Sequence, residues 1–298
     1  VIRNNTQAIE QAFEIKAVNK EKKSSVIEVT SFFNSDSDLV SFAAYAKKSF
    51  KVGALQKDKS FVNFAKSFPT NIEINTTKTF ARTLGDYKPI PGRDKPEISG
   101  NYTVEINTSL VLLPENKMQP RYYDERVGYF TVGYTDFDLD PQGVERVRLI
   151  KRWRLEPKPQ DLEKYKRGEL VEPAKPIVFY IDPATPKKWV PALMQGVNDW
   201  AKAFEKAGFK NAIYAKVPNA KDDPEWSLED ARFSGIVYKP SDVPNASGPS
   251  IADPRTGEIL ESHINWYHNV MLLLRNWYFV QASPNDPRAR NVEFDDAL

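Results

Sequence analysis

The sequence predicts an α+β protein: a mostly antiparallel β domain comes first, followed by a mixed-sheet domain backed by one long helix. Three observations predict it. The first 155 residues carry segments rich in Val, Ile, Thr, Phe and Tyr bounded by turn residues, as strands require. The second half opens with a continuous apolar run, Ile177-Val-Phe-Tyr-Ile181, which suits a strand buried on both faces. After it Trp189, Leu193, Val197, Trp200, Phe204 and Ala207 recur at spacings of three and four, the period of a helix that lays one apolar stripe on a sheet.

In chain order, strands are expected at 26–33, 71–82, 101–113, 127–139 and 144–155. A helix is expected between the first two, with Leu39, Phe42, Ala43, Ala46 and Phe50 on one stripe. Asp140-Pro-Gln-Gly143 places Pro and Gly at the second and fourth positions of a type I turn, so the last two strands are expected to form a hairpin. On its return strand Arg146, Arg148, Arg152 and Arg154 share a face, and Asp136, Asp138 and Asp140 alternate down the strand before it. A nucleic-acid reader also shows an arginine stripe, but acids set beside it argue for a solvated sheet face. Residues 158–175 are polar and punctuated by proline. They are expected to connect a domain at 1–157 to a second at 176–298.

In the second half, Thr185 can cap a helix with Pro186 at its first position, where the missing N–H is harmless. Pro191 is early enough to be tolerated, and Gly208 sits where a left-handed C-terminal cap is wanted. Strands are expected at 212–217, 233–238 and 258–267, the last entered through the turn Asp253-Pro-Arg-Thr-Gly257. Pro249, in the segment before that turn, lacks a backbone donor. Proline in sheets is confined largely to edges and bulges, so this segment is expected to be an edge strand.

Composition narrows the chemistry. The chain has 42 basic and 40 acidic side chains, a net charge of +2, and so no field suited to holding nucleic acid. No apolar run approaches the roughly 20 residues that span a bilayer, so no membrane-spanning segment is expected. Without cysteine there are no disulfides, thiolate nucleophiles or Cys-bound zinc. No His-Glu-x-x-His occurs, and the two histidines, His263 and His268, are five apart. That spacing sets them on opposite faces of a strand and fits poorly the four-residue spacing that brings two imidazoles to one ion on a helix. Asp136, Asp138 and Asp140 lack the Gly and Glu of a calcium loop. Trp189 and Trp200 are expected in the core, and Arg275 on the exposed side of an amphipathic helix. Tyr122, Tyr123, Tyr129 and Tyr134 suit either a ligand surface or a sandwich core. The Asn-x-Ser/Thr triplets at Asn5, Asn75, Asn101, Asn107 and Asn245 are of a kind common by chance.

A set of separated words carries a resemblance. They are Ser-Leu-Val-Leu-Leu-Pro-Glu (109–115), Arg126-Val-Gly-Tyr-Phe130, Arg152-Trp-Arg154, Pro176-Ile-Val-Phe-Tyr-Ile-Asp-Pro183, Asp199-Trp200, Ala203-Phe204, Ala207-Gly-Phe-Lys-Asn-Ala212, Asp253-Pro-Arg-Thr-Gly-Glu-Ile259, Tyr267-His-Asn269 and Asn276-Trp-Tyr-Phe-Val280. In this order they resemble the large exported bacterial zinc-dependent metalloproteases with a metzincin-like catalytic domain, from about residue 25 to the end. The resemblance implies that residues 176–298 are the upper subdomain of a zincin-like catalytic domain. It also implies that Glu293-Phe-Asp-Asp-Ala-Leu298 leads, with Asp295 or Asp296 as cap, into a zinc-binding helix that is not part of this sequence. Zinc is thus implied as the cofactor of the intact parent and none is expected in this chain, which holds no catalytic residue. An exported peptidase is expected, with a peptide or protein as substrate. In such enzymes an edge strand binds the extended substrate by strand addition, and by position Gly248, Ser250, Ile251 and Ala252 are the candidates. A sheet face left without its packing partner is expected to favour a non-native dimer. The alternative is a non-catalytic exported binding or adhesion protein, holding protein or glycan through its β domain.

Overall fold

The computed structural model describes residues 11–82, 100–140 and 142–288. Its elements combine short helices with antiparallel and mixed sheets, the α+β class expected. By contacts the chain forms two units, Val1–Leu112 with Thr135–Glu145, and Leu113–Tyr134 with Arg146–Leu298. The expected cap at Asp295 or Asp296 lies outside the described residues.

The first unit begins with a hairpin of β1 (Glu14–Asn19) and β2 (Ser24–Glu28), followed by the single turn α1 (Thr30–Phe33) and by α2 (Ala44–Ser49). The strand expected at 26–33 stops early because Phe32 and Phe33 are both buried, each 5% exposed. Consecutive side chains leave a strand on opposite faces, whereas a helical turn can sink both. The expected helix around 39–50 shrinks to α2. Ahead of it the Ser35 and Ser37 hydroxyls accept the N–H groups of Ser37 and Leu39, turn bonds that compete with helix. Phe42 and Phe50 of the expected stripe still meet, with ring centroids 5.7 Å apart.

Four strands form the sheet of this unit: β3 (Val52–Leu55), β4 (Phe61–Ser67), β5 (Asn71–Arg82) and β6 (Asn101–Val111). The central β5 pairs antiparallel with all three others. Ile74, Thr76, Lys78 and Phe80 share one buried side, where Ile74 joins Phe32, Phe33 and Val40, while Asn71, Glu73 and Thr79 are buried on the other. Lys78 is fully buried, and its ammonium donates to the carbonyls of Ser35 and Val40, both at 2.6 Å. Burial pushes its pKa down to about 8. The lysine therefore closes the 35–40 loop over the sheet, at the expense of a desolvated charge.

The strands β7 (Thr131–Asp136) and β8 (Glu145–Ile150) pair with each other. Pro141 of the expected turn lies outside the described residues. The acids do not decorate a charged ladder: the Asp136 and Asp140 carboxylates accept the N–H groups of Asp138 and Gln142, at 2.9 and 2.8 Å. Short Asp side chains reach their own backbone two residues on, which is the competing interaction. Arg148 instead lies 3.8 Å over the Tyr123 ring.

Residues 158–175, expected as a connection, are folded against the second unit. They contain α3 (Leu162–Lys166), and Val171 is buried with Phe209 and Ala212. Trp153 and Leu155, ahead of that segment, pack on the main core as well.

That core lies on a six-stranded sheet of β9 (Ile177–Ile181), β10 (Ile213–Lys216), β11 (Ser234–Lys239), β12 (Ala246–Ser247), β13 (Ser250–Ala252) and β14 (Ile259–Tyr267). The spatial order is β10-β9-β11-β14-β12, with β13 also pairing β14. The first four run parallel, and β12 and β13 run antiparallel to β14. Ile177, Phe179 and Ile181 point to one side, against Val197, Leu193 and Phe204. On the other side Tyr180 meets Phe233, with centroids 5.3 Å apart. Both faces are covered, so the run is apolar throughout.

The expected long helix is two helices, α4 (Val190–Asn198) and α5 (Ala201–Lys206). Between them Asp199 and Trp200 keep helical φ with ψ of −24° and −18°, the range of a 3₁₀ turn. That turn swings Trp200 to 63% exposure, out of the core in which it was expected. Thr185 does not cap: α4 starts at Val190 with Pro191 in its first turn. The last helix, α6 (Val270–Trp277), inverts expectation too. Arg275 lies half-buried, while Leu272, Leu274 and Trp277 are exposed. No helix among the described residues is long and apolar enough to cross a membrane.

Replacing Lys78 by Ala removes a buried side chain and strands two carbonyls. It is expected to destabilise the first unit by about 2–5 kcal/mol, read as a lower urea midpoint with an unchanged m-value.

Candidate functional site

Strand β14 organises the candidate site, and a turn fixes its entry. The Asp253 carboxylate, fully buried, accepts the Arg255 backbone N–H at 2.8 Å and the guanidinium Nη2 at 2.7 Å. Burial pushes this carboxyl up, but the Arg255 bonds and charge outweigh it and hold the pKa below the usual carboxylate value. Arg255 also donates to the Pro114 carbonyl at 2.7 Å. Gly257 completes the turn at φ +76°, and a Cβ there would lie 2.1 Å from the Ile150 carbonyl oxygen. Both the left-handed backbone and the close approach demand glycine.

The same hook occurs elsewhere. Asp124, Asp230 and Asp286 each bind the backbone N–H and the guanidinium of the arginine two residues on: Arg126, Arg232 and Arg288. The hooks at Asp230 and Asp253 stand at the entrances to β11 and β14. A third buried acid, Asp182, accepts the N–H groups of Ala184 and Tyr238, tying the end of β9 to β11.

The candidate residues fall along the edge of this sheet. Ser250, Ile251 and Ala252 form β13, opposite Ser262, Glu261 and Ile259, with a bulge between Ile251 and Ala252. Gly248 lies in the gap between β12 and β13, beside Pro249, whose carbonyl accepts the Ser262 hydroxyl at 3.0 Å. The edge position inferred from Pro249 is the one observed. A strand paired on one side turns every second residue's N–H and C=O outward, so this edge can accept one more strand.

Beneath it Glu261, buried, holds His263 through a 2.9 Å contact to Nε2, which also faces the Phe233 carbonyl at 3.3 Å. Burial presses this imidazole toward neutrality, yet the bond and charge of Glu261 outweigh it and raise its pKa. Farther along the edge, Ala246 opposes Trp266. The Trp266 ring packs edge-on against Trp189, centroids 4.8 Å apart, and Tyr238 bonds His268 Nδ1 at 2.8 Å. In the sequence His263 is weighed only against His268, as a metal pair, and Glu261 is not among the candidates. The i, i+2 spacing of Glu261 and His263 on a strand was the available signal.

The described residues do not fit zinc. His263 and His268 bond different partners. Among the described residues no group of three or more His, Asp or Glu side chains is placed to hold a metal ion. Glu258 is a buried carboxylate whose pKa is raised by desolvation, and its nearest cation, Arg154, stands 3.8 Å away. The Glu258 main chain, not its carboxylate, closes the Asp253 turn: its carbonyl accepts the Asp253 N–H at 2.8 Å and its N–H donates to Thr256 Oγ1 at 3.1 Å.

Two outcomes check this geometry. Gly257→Ala should destabilise the second unit by more than about 2 kcal/mol, since strain and overlap add, read as a lower thermal midpoint. The raised pKa of His263 means its protonated pairing with Glu261 stabilises the fold fully below the unfolded value of about 6.5. That contribution is lost as pH rises through the higher folded value, so urea midpoints should fall across that window, and His263→Gln should flatten the fall.

Comparison with known proteins adds one finding. Residues 1–158 match a family model described as a domain of unknown function, DUF5117, which covers more than half of the 298 residues. No curated protein and no solved structure matches the chain. On that match, the chain belongs to the DUF5117 family.

Proposed function

We propose that this chain is the substrate-holding part of an exported zinc-dependent endopeptidase, and that its sheet edge at 246–252 binds a peptide in extended form. One observation carries the proposal. A largely parallel sheet, β10-β9-β11-β14, is finished by a short antiparallel strand that is paired on one side only among the described residues, the arrangement suited to strand addition. The ordered words shared with the zinc metalloproteases support the same reading.

The roles follow from the backbone. Ser250 and Ala252 supply the outward peptide N–H and C=O groups, Ile251 pairs with Glu261 of β14, and Gly248 leaves room beside the chain, its nearest contact being Ile264 at 3.9 Å from a hypothetical Cβ. Strand addition gives affinity through main-chain bonds and selects through pockets for alternate side chains. The chain's own histidines make no zinc site, so this reading assigns it recognition rather than bond cleavage.

Fluorescence anisotropy with a labelled peptide of about eight residues tests this reading. Ser250→Pro removes an outward edge N–H, since Ser250 opposes Ser262, whose own N–H turns away to Ser234, and should weaken binding at least about tenfold, the loss expected from one or two main-chain bonds. The exposed change Val243→Ala should leave it unchanged. Equal binding by the proline variant would reject the edge as the site. The peptidase half of the proposal is tested by a polypeptide extended along its natural reading frame: hydrolysis abolished by a chelator is expected, and its absence would reject it.

A further inference from the structure

The outward face of the first unit's sheet has a composition that solvation alone does not explain. Directly opposed residues of antiparallel strands share a face. The register therefore gathers Glu73, Asn75 and Thr77 of β5 with Ser109, Asn107 and Glu105 of β6, and with Lys66, Phe64 and Phe61 of β4. Asparagine is depleted in strands because its amide competes for backbone groups. Five asparagines nevertheless occupy these three strands, at 63, 71, 75, 101 and 107.

They are wired together. Asn63, the extra residue of a bulge in β4, sends its amide to Asn75 Oδ1 at 2.5 Å and Thr77 Oγ1 at 3.0 Å. Glu73 is only 5% exposed. Its carboxylate accepts from Asn71 at 2.6 Å, Asn107 at 2.5 Å and Ser109 at 2.6 Å. A buried carboxylate bound by three neutral donors fixes the orientation of the side chains around it, leaving rigid amide and hydroxyl groups at the surface. Beside them Phe61 and Phe64 are 54% and 37% exposed, with Lys66 Nζ 4.7 Å over one face of the Phe64 ring, although nothing in solvation favours phenylalanine on such a face.

We propose that this face is a glycan-binding surface that takes a neutral polysaccharide chain. Phe61 and Phe64 stack on the apolar C–H faces of the sugar rings, and Asn75, Asn107 and Glu105 exchange hydrogen bonds with hydroxyls. Glu73 is a positioning residue. The mixture of Lys66 with Glu73 and Glu105 gives no cationic field for a polyanion, and the amide-rich centre is poorly suited to an apolar protein surface. The Asn-x-Ser/Thr triplets at Asn75, Asn101 and Asn107 follow from the same pattern: in a strand, alternate residues share the polar face. The proposal rests on the first unit alone and is independent of the peptidase reading.

Native affinity electrophoresis of the full chain tests it, with soluble β-1,3-glucan, xylan, mannan, dextran or hydroxyethylcellulose in the gel and heparin as the polyanion control. Retardation by at least one neutral polymer is expected. The double variant Phe61→Ala/Phe64→Ala should weaken it about tenfold with an unchanged urea midpoint. Should that variant fold poorly, Glu105→Gln, at an exposed position, should still reduce retardation about threefold or more. Absence of retardation by every neutral polymer, retardation indifferent to these variants, or retardation by heparin alone would overturn the proposal.

Discussion

The antiparallel pairing of Ser250–Ala252 with β14 is the interaction on which the second unit's sheet edge, and with it the proposed peptide site, depends. A parallel sheet ending in β14 would expose a long row of main-chain groups, a liability for any chain. The short β12 and β13 cover that row and present a new, smaller one of opposite direction. Pro249 interrupts it and a bulge bends it, so the edge is limited to a few residues and is guarded against unspecific pairing.

Much of this was legible in the sequence where burial dictates pattern. The run at 177–181 is written by its two covered faces and β5 by its β-favouring residues and the turns around it, and both strands begin and end as expected. Pro249 identified the edge through its missing donor. Legibility failed where a contact distant in sequence decides. Nothing local tells that Phe32 and Phe33 sink together, or that Val171 finds Phe209. The apolar stripe at 189–207 was read correctly in period but not in continuity, because two residues tighten into a 3₁₀ turn.

Buried polar groups were the hardest to anticipate. Lys78, Asp182, Asp253 and Glu261 occur in the sequence as ordinary charged residues, and only the fold shows each held by main-chain or ion-pair partners. Burying a charge is unfavourable unless its partners are complete. Each such group therefore specifies one loop conformation and disfavours the alternatives. The Asp-x-Arg hooks show the principle in small: a carboxylate satisfied within three residues sets the direction in which the chain enters a strand. That spacing was visible in four places, and its recurrence was the signal available to sequence analysis.

Both units thus put precise backbone geometry at a surface, one through an open strand edge and one through a face of locked amides. Hydrogen exchange at the amides of residues 246–252, measured with and without an extended peptide, tests the central claim most directly. Strand addition predicts that the outward amides of Ser250–Ala252 slow on binding while those facing β14, already protected, change little. Binding of the peptide with no change in exchange along this edge would contradict it.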